Sequence, residues 1–281
     1  MSELAGTRDY YGQTLVELGA ENPNIVVLDA DLSCSTRTAK FGAVYPERFF
    51  NAGIAEQNCI GMAAGLANMG KIAFASSFAM FITGRCWEQI RNSVAQPKLN
   101  VKIAATHAGV TVGEDGSSHQ AIEDVAIMRS IPYVQILVPA DAVETAQMVR
   151  VAAEEPGPFY IRMSRSKTPI VFDEKYSYQL GKSPFIRKGG DVCICAMGIM
   201  VSTAIEASDR LKKEGINAGI LNVSTLKPVD KEALVQAAEM SGAIVTAEEH
   251  SVFGGLGSTV AEVLVQHCPV PMEMLGIKGV F

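Results

Sequence analysis

The feature that most constrains this chain is a rhythm: short apolar runs of strand length alternate with stretches of helical periodicity along its length. A parallel neighbour strand can be reached only by a crossover of a dozen or more residues, usually a helix. Such alternation specifies an α/β fold built on mostly parallel sheets. In the first part, strands are expected at Asn24–Asp29, Lys71–Ser76, Val101–Thr106, Tyr133–Val138 and Phe159–Met163. Helices are expected at Tyr10–Ala20, Ala55–Met69, Met80–Ala95, Gln120–Arg129 and Ala142–Glu154. Pro139 and Asp141 suit a turn and a helix start.

The rhythm breaks between Ser166 and Pro184, a polar stretch carrying Pro169 that reads as an interdomain linker wrapped over a surface. A second series follows. Its strands are expected at Val192–Met197, Ala218–Val223 and Ala243–Ala247, and its helices at Val201–Glu214, Lys231–Met240 and Gly257–His267. With 281 residues the chain can build two medium domains with their own cores. The expected organisation is therefore two consecutive, mostly parallel α/β domains: residues 1–165, a linker over 166–189, and residues 190–281.

Composition narrows the function. The net charge is −6 and charges of both signs are scattered, whereas nucleic-acid binding needs a clustered basic surface. Any phosphate site must be local. No stretch approaches the ~20 apolar residues of a membrane span, and the start, MSELAGTRDYYG, has no apolar signal core. A cytoplasmic location is the expectation. The six cysteines form no CxxC pair and no zinc-like spacing. They are expected to be reduced core residues, with Cys193 and Cys195 on one side of a strand.

Three segments interrupt the apolar rhythm with chemistry. The first, ATHAGVTVGEDGSSHQ, holds two of the four histidines, His107 and His119, with Asp115 and three glycines. It follows a strand, and ligands of open α/β sheets bind beyond the carboxyl ends of the strands. Histidines and a carboxylate there can polarise a hydroxylated or phosphorylated substrate; a capped surface loop is the plainer alternative. In the second, RFFNAGIAEQNCIGMAAGLA, Glu56 sits in the first turn of a small-residue helix, where the helix dipole alone would favour it. In the third, SSFAMFITGRCWEQIR, Phe78 and Phe81 lie one helical turn apart and can present one aromatic face or simply fill a core. Arg8, Arg37, Arg85 and Arg165 stand near loops, where arginine suits bidentate phosphate binding. The glycine cluster Phe253–Ser258 reads as a strand-to-helix turn, and there is no P-loop.

Taken in order, Thr7-Arg8, Ala30-Asp31-Leu32, Gly53-Ile54-Ala55-Glu56, Phe78, Thr106-His107, Gly113-Glu114-Asp115-Gly116, Ser118-His119-Gln120 and Ser164-Arg165 resemble transketolase over essentially the whole chain. The resemblance implies a thiamine diphosphate pyrimidine-binding fold followed by the transketolase C-terminal fold. It implies that Glu56 hydrogen-bonds the aminopyrimidine ring of thiamine diphosphate and promotes the proton transfer that makes the nucleophile. Phe78 and Phe81 would pack on that ring, with Asp31 also on the cofactor side. His119 would lie near the cofactor amine and the reacting carbonyl, and Asp115 would bind a substrate hydroxyl. Arg8, Ser35, His107 and Arg165 match the family's sugar-phosphate clamp.

The resemblance also implies what must come from elsewhere. The family's diphosphate-and-metal domain, with its Gly-Asp-Gly motif, has no counterpart here, because Glu114-Asp115-Gly116 belongs to the substrate loop. The chain is therefore expected to be inactive alone, with magnesium (or calcium) and diphosphate held by an N-terminal transketolase subunit, two copies of each chain making a heterotetramer. Alone it is expected to reach a dimer at most. An aromatic residue expected one turn after Phe81 is replaced by Gly84 beside Arg85, and the chain stops at Phe281, somewhat early for the last domain. The alternatives are half of a deoxyxylulose-phosphate synthase, against which Thr106-His107 argues; a 2-oxoacid dehydrogenase beta subunit, which would lack the GEDG-x-x-HQ loop; and a non-catalytic module that kept the fold.

Overall fold

The structure, a computed structural model, describes residues 3–173 and 175–281; the first two residues of the first expected domain and Glu174 of the expected linker lie outside it. In chain order the strands are β1 (Leu4–Gly6), β2 (Ile25–Asp29), β3 (Phe49–Asn51), β4 (Ile72–Phe78), β5 (Val101–Thr106), β6 (Gln135–Leu137), β7 (Phe159–Arg162), β8 (Lys167–Pro169), β9 (Phe185–Arg187), β10 (Val192–Ala196), β11 (Ala218–Asn222), β12 (Thr225–Lys227), β13 (Ile244–Ser251) and β14 (Met272–Ile277). One seven-stranded sheet has the order β12-β6-β7-β5-β4-β2-β3, and a five-stranded sheet the order β14-β13-β10-β11-β9. All their pairings are parallel except β12 with β6 and β9 with β11. The mixed, parallel-dominated α/β architecture expected from the alternation is the one the chain adopts.

Central strands carry the core because both faces of a parallel sheet are covered by helices. β2 and β5 are buried at every residue. The two sheets are not independent beads. β12 follows β11 in the second series yet pairs with β6 of the first sheet, and one apolar cluster runs from Val101 and Ile136 to Cys195 and Leu221. The stretch 166–184 also belongs to the packed structure. β8 pairs with β1, Val171 and Phe172 donate their N–H groups to Asp141 Oδ2 at 2.7 and 2.8 Å, and the Tyr178 ring is buried.

Several boundaries moved, each for a local reason. The expected helix Met80–Ala95 is split into Ala79–Gly84, Trp87–Gln89 and a π-helical turn at Ile90–Ala95, in which Gln96 N–H reaches Arg91 O. A π-turn absorbs one residue too many for the 3.6 repeat, and such turns concentrate at functional sites; Ile90 and Val94 both stay buried. The expected helix Gln120–Arg129 begins only at Asp124. Ala121 is bridged to Ala108 and accepts Gly109 N–H, which holds 120–122 extended. The strand expected at Tyr133 starts at Gln135, because Tyr133 is in the left-handed region at φ 66°. β4 runs two residues past its expected end at Ser76, so that Phe78 closes the strand.

The cysteine reading holds for Cys59, Cys86, Cys193 and Cys195, which are buried and free. Burial pushes the Cys59 and Cys86 thiols up to about 12. Cys34 departs from it. It lies in the short surface helix Ser33–Thr36 and is exposed. No described helix is long and apolar enough to cross a membrane.

Candidate active site

The site is built where β4 and β5 end side by side, Phe78 paired with Thr106. That register sets Phe78 beside His107, and the two rings stack at 3.7 Å between centroids. One turn into the next helix, Phe81 lies nearly parallel to Phe78 at 6.0 Å, and His119 meets the Phe81 ring edge-on at 5.1 Å. The loop between the histidines can reach this spot because Gly109, Gly113 and Gly116 adopt positive φ. Two 3₁₀ turns, Gly113–Asp115 and Ser117–His119, complete it.

Glu56 opens the helix Glu56–Asn68 and is buried. Its Oε1 lies 2.9 Å from Arg85 Nη1, and the Arg85 guanidinium sits 4.3 Å over the Phe81 ring. The Arg85 side chain is 52% exposed, so a flat ring seeking the Phe81 face displaces it at little cost.

On the other side of His107 the charge is positive. Arg8 is half-buried and donates to Ser35 O at 2.9 Å. Arg165 pairs with Glu114 and, at 3.6 Å, with Asp115. Arg37 pairs with Asp9 at 2.7 Å. Burial, then the charges of Arg8 and Arg165, hold the His107 imidazole down at about 3. His107 is therefore neutral at any working pH and, bonded to Thr106 Oγ1 at 2.9 Å through Nδ1, offers its other nitrogen as a neutral hydrogen-bonding group. The structure thus brings Arg8, Ser35, Glu56, Phe78, Phe81, His107, Asp115, His119 and Arg165 to one end of the sheet. Asp31 is the exception. It is exposed and accepts from Asn51 Nδ2 at 2.9 Å, and among the described residues no hydrogen bond or ion pair ties it to the ring cluster.

Two contributors have roles that the sequence does not signal. Asp29 is buried and shapes the loop bearing Ser35, accepting Leu32 N–H at 2.6 Å, Thr36 OH at 2.7 Å and Thr38 OH at 2.8 Å. Arg85, in the sequence one of four arginines suited to phosphate, instead pairs with Glu56 and lies over the Phe81 ring. Among the described residues no group of three or more His, Cys, Asp or Glu is arranged to hold a metal ion.

Comparison with known proteins decides the family. Residues 4–171 match the model of the transketolase pyrimidine binding domain, and residues 181–280 that of the transketolase C-terminal domain. The chain belongs to the transketolase family. This transketolase chain is 52% identical over 279 residues to a Methanocaldococcus jannaschii protein provisionally named as a transketolase C-terminal section, covering 98% of this chain and 87% of the relative. It is 42% identical to a 6-deoxy-6-sulfo-D-fructose transketolase subunit of a Clostridium species, covering 98% and 85%. A solved structure described as a split-gene transketolase, inactive beta4 tetramer, superposes with a TM-score of 0.92 at 56% identity, covering 98% and 90%. Transketolases depend on thiamine diphosphate. The residues of this chain fit its ring end: a buried carboxylate at a helix start, beside an aromatic ring over which a half-exposed, displaceable arginine lies.

Proposed function

We propose that this chain is the C-terminal subunit of a thiamine diphosphate-dependent transketolase that moves a two-carbon ketol unit between ketose and aldose phosphates, active only with a partner subunit. The observation that carries the reading is the convergence of Glu56, the Phe78–Phe81 face and the two histidines on one side with Arg8 and Arg165 on the other. Bound thiamine diphosphate supplies the nucleophilic carbon that accepts the ketol unit. Glu56 exchanges a proton with the aminopyrimidine ring, and Phe78 and Phe81 fix the ring plane. His119 hydrogen-bonds at the reacting carbonyl, and Asp115 holds a substrate hydroxyl. Arg8, Ser35, His107 and Arg165 bind the anionic end of the sugar, and Asp31 closes the cofactor side.

The clamp gives a separable prediction. Arg165→Ala or Arg8→Ala removes a charge-assisted hydrogen bond remote from the reacting carbon. Such a bond contributes about 1.5–3 kcal/mol, so KM for a phosphorylated donor rises roughly 10- to 100-fold with kcat little changed. Initial rates with paired phosphorylated and unphosphorylated donors check this, and equal penalties on both would remove the arginines from the clamp. A relative named for a sulfo sugar makes a sulfonate-bearing ketose the second reading of the same clamp, and a donor screen with both anions separates the two.

Assembly follows from what the chain brings. It supplies the ring end, and the partner subunit would hold diphosphate and magnesium (or calcium). Ile54 and Met69, 81% and 79% exposed, flank the helix of Glu56 and support a covered surface in the complex. Ile60, on the same helix, points into the core and is fully buried. The two-by-two heterotetramer remains the favoured assembly. The relative described as an inactive beta4 tetramer supports self-association of the isolated chain beyond the expected dimer, without turnover. Isothermal titration is expected to give thiamine diphosphate binding at least about 100-fold weaker for the isolated chain than for the complex, a loss of about 2.8 kcal/mol. Tight, magnesium-dependent binding without the partner would refute this division of labour.

A further inference from the structure

We infer that Glu249, a residue of the C-terminal domain, is a positioning residue for the ketol transfer, an inference that rests on the function proposed above. β13 sends successive side chains to opposite faces. Glu248 turns toward its own domain, where its two oxygens accept the N–H groups of Leu256 and Gly257 at 2.7 and 2.8 Å in the first turn of the helix Leu256–His267. Glu249 turns the other way, across the domain boundary. Its Oε1 accepts the N–H groups of Val110 and Thr111 at 2.8 and 2.6 Å, inside the loop that runs from His107 to His119.

Two consecutive N–H groups converge on one oxygen only if the backbone turns just before them. Gly109 makes that turn at φ +84°, and a Cβ there would overlap the Glu249 carboxylate. The carboxylate is buried, and a buried charge without partners is costly; here both partners come from the loop. Arg162 secures the same junction, donating to Glu249 O at 3.0 Å and to Ala121 O at 3.2 Å. Beyond Thr111 the loop is anchored by the buried Val112 and then runs out to the surface. Glu114, Ser118 and His119 are exposed or half-buried, held by 3₁₀ turns and by the Arg165 pairs. The position of Asp115 and His119 therefore depends on where Val110 and Thr111 are held: Glu249 takes both N–H groups, while Gln120 Nε2 and Ser166 Oγ donate to their carbonyls at 3.1 and 2.9 Å.

The test uses the complex reconstituted with the diphosphate-binding subunit, together with amide hydrogen exchange on the isolated chain. Glu249→Ala lowers kcat about 10- to 100-fold, the effect of a displacement near 1 Å, with donor KM and thiamine diphosphate affinity moving less than about threefold. Glu249→Gln keeps a carbonyl acceptor and restores most of kcat. In exchange, Val110 and Thr111 lose protection in Glu249→Ala and keep it in Glu249→Gln, while the amides of β13 stay protected in both. Gly109→Ala attacks the same contact from the loop side, and the double variant with Glu249→Ala is no slower than the slower single. Unchanged protection at Val110 and Thr111, or full kcat once that protection is lost, overturns the inference. A uniform loss of protection in Glu249→Ala and Gly109→Ala, with Glu249→Gln as slow as Ala, also overturns it by marking Glu249 as a general staple. A wild-type complex that turns over no donor refutes the proposed function itself, a failure read separately from the exchange result.

Discussion

Exchanging Glu56 for Gln is expected to lower kcat of the assembled enzyme on the order of 10²–10⁴-fold, the usual cost of removing a positioned proton-transfer group. The amide keeps the size of the side chain and an oxygen for Arg85, which stands 2.9 Å from Oε1. It cannot take up and return a proton at the ring. No neighbour substitutes. Both oxygens of the nearby buried Asp29 are committed to Leu32, Thr36 and Thr38, and His107 is fixed as a neutral group by burial and the arginines around it. The fold is expected to survive. The Arg85 partner is half exposed and the pair contributes no more than about 1 kcal/mol, a shift in melting temperature of roughly 2–4 °C. Rates are to be measured in the reconstituted complex with thiamine diphosphate saturating; near wild-type turnover there would sink the assignment of Glu56.

How far the sequence reaches is visible element by element. The helix Ala142–Glu154 was legible at both ends because its start is encoded locally: Asp141 Oδ1 accepts Glu144 N–H at 2.8 Å, a side-chain cap three residues away. β2, β4 and β5 announced themselves as apolar runs. β13 extends to Ser251, beyond the end expected at Ala247, where the apolar run stops before the polar Glu248-Glu249-His250-Ser251. In the structure these four are buried, each carboxylate engaged with backbone N–H groups. A buried polar residue with distant partners carries no periodic signature, and Glu249 meets Val110 139 positions away. Lys102 is the same case. A lysine inside β5 is fully buried because its ammonium caps the carbonyls of Glu155 and Gly157 at 2.7 and 2.8 Å. At the site, His107 and His119 share one short segment and were visible as chemistry. Arg8 and Arg165 lie at opposite ends of the first part of the chain, and only the family resemblance joined them.

The largest loss of stability is expected at the domain boundary, in Asp124→Ala. Arg162 and Asp124 are an ion pair at 2.8 Å with both side chains buried, and Asp124 Oδ2 also accepts the Tyr160 hydroxyl at 2.5 Å. Truncating the carboxylate strands a guanidinium and a phenol away from water, at a cost of about 3–5 kcal/mol. Calorimetry should place the midpoint roughly 6–20 °C lower; a drop below about 2 °C would show that water reaches the guanidinium. The pH dependence has a definite sign. Burial is the largest single influence and pushes the Asp124 carboxyl up, but the Arg162 and His250 charges and the hydrogen bonds from Arg162 and Tyr160 together hold the group below the usual carboxylate range. Its contribution is therefore complete above the unfolded value near 3.9 and disappears as pH falls through the lower folded value. The variant should lack that part of acid unfolding. Activity should fall as well, because Arg162 also donates to Ala121 O and Glu249 O, the two ends of the junction that holds the loop. Asp124→Ala then loses stability and turnover together, whereas Glu249→Ala loses turnover with the strand beneath it intact, and that contrast separates holding the domains together from aiming the loop.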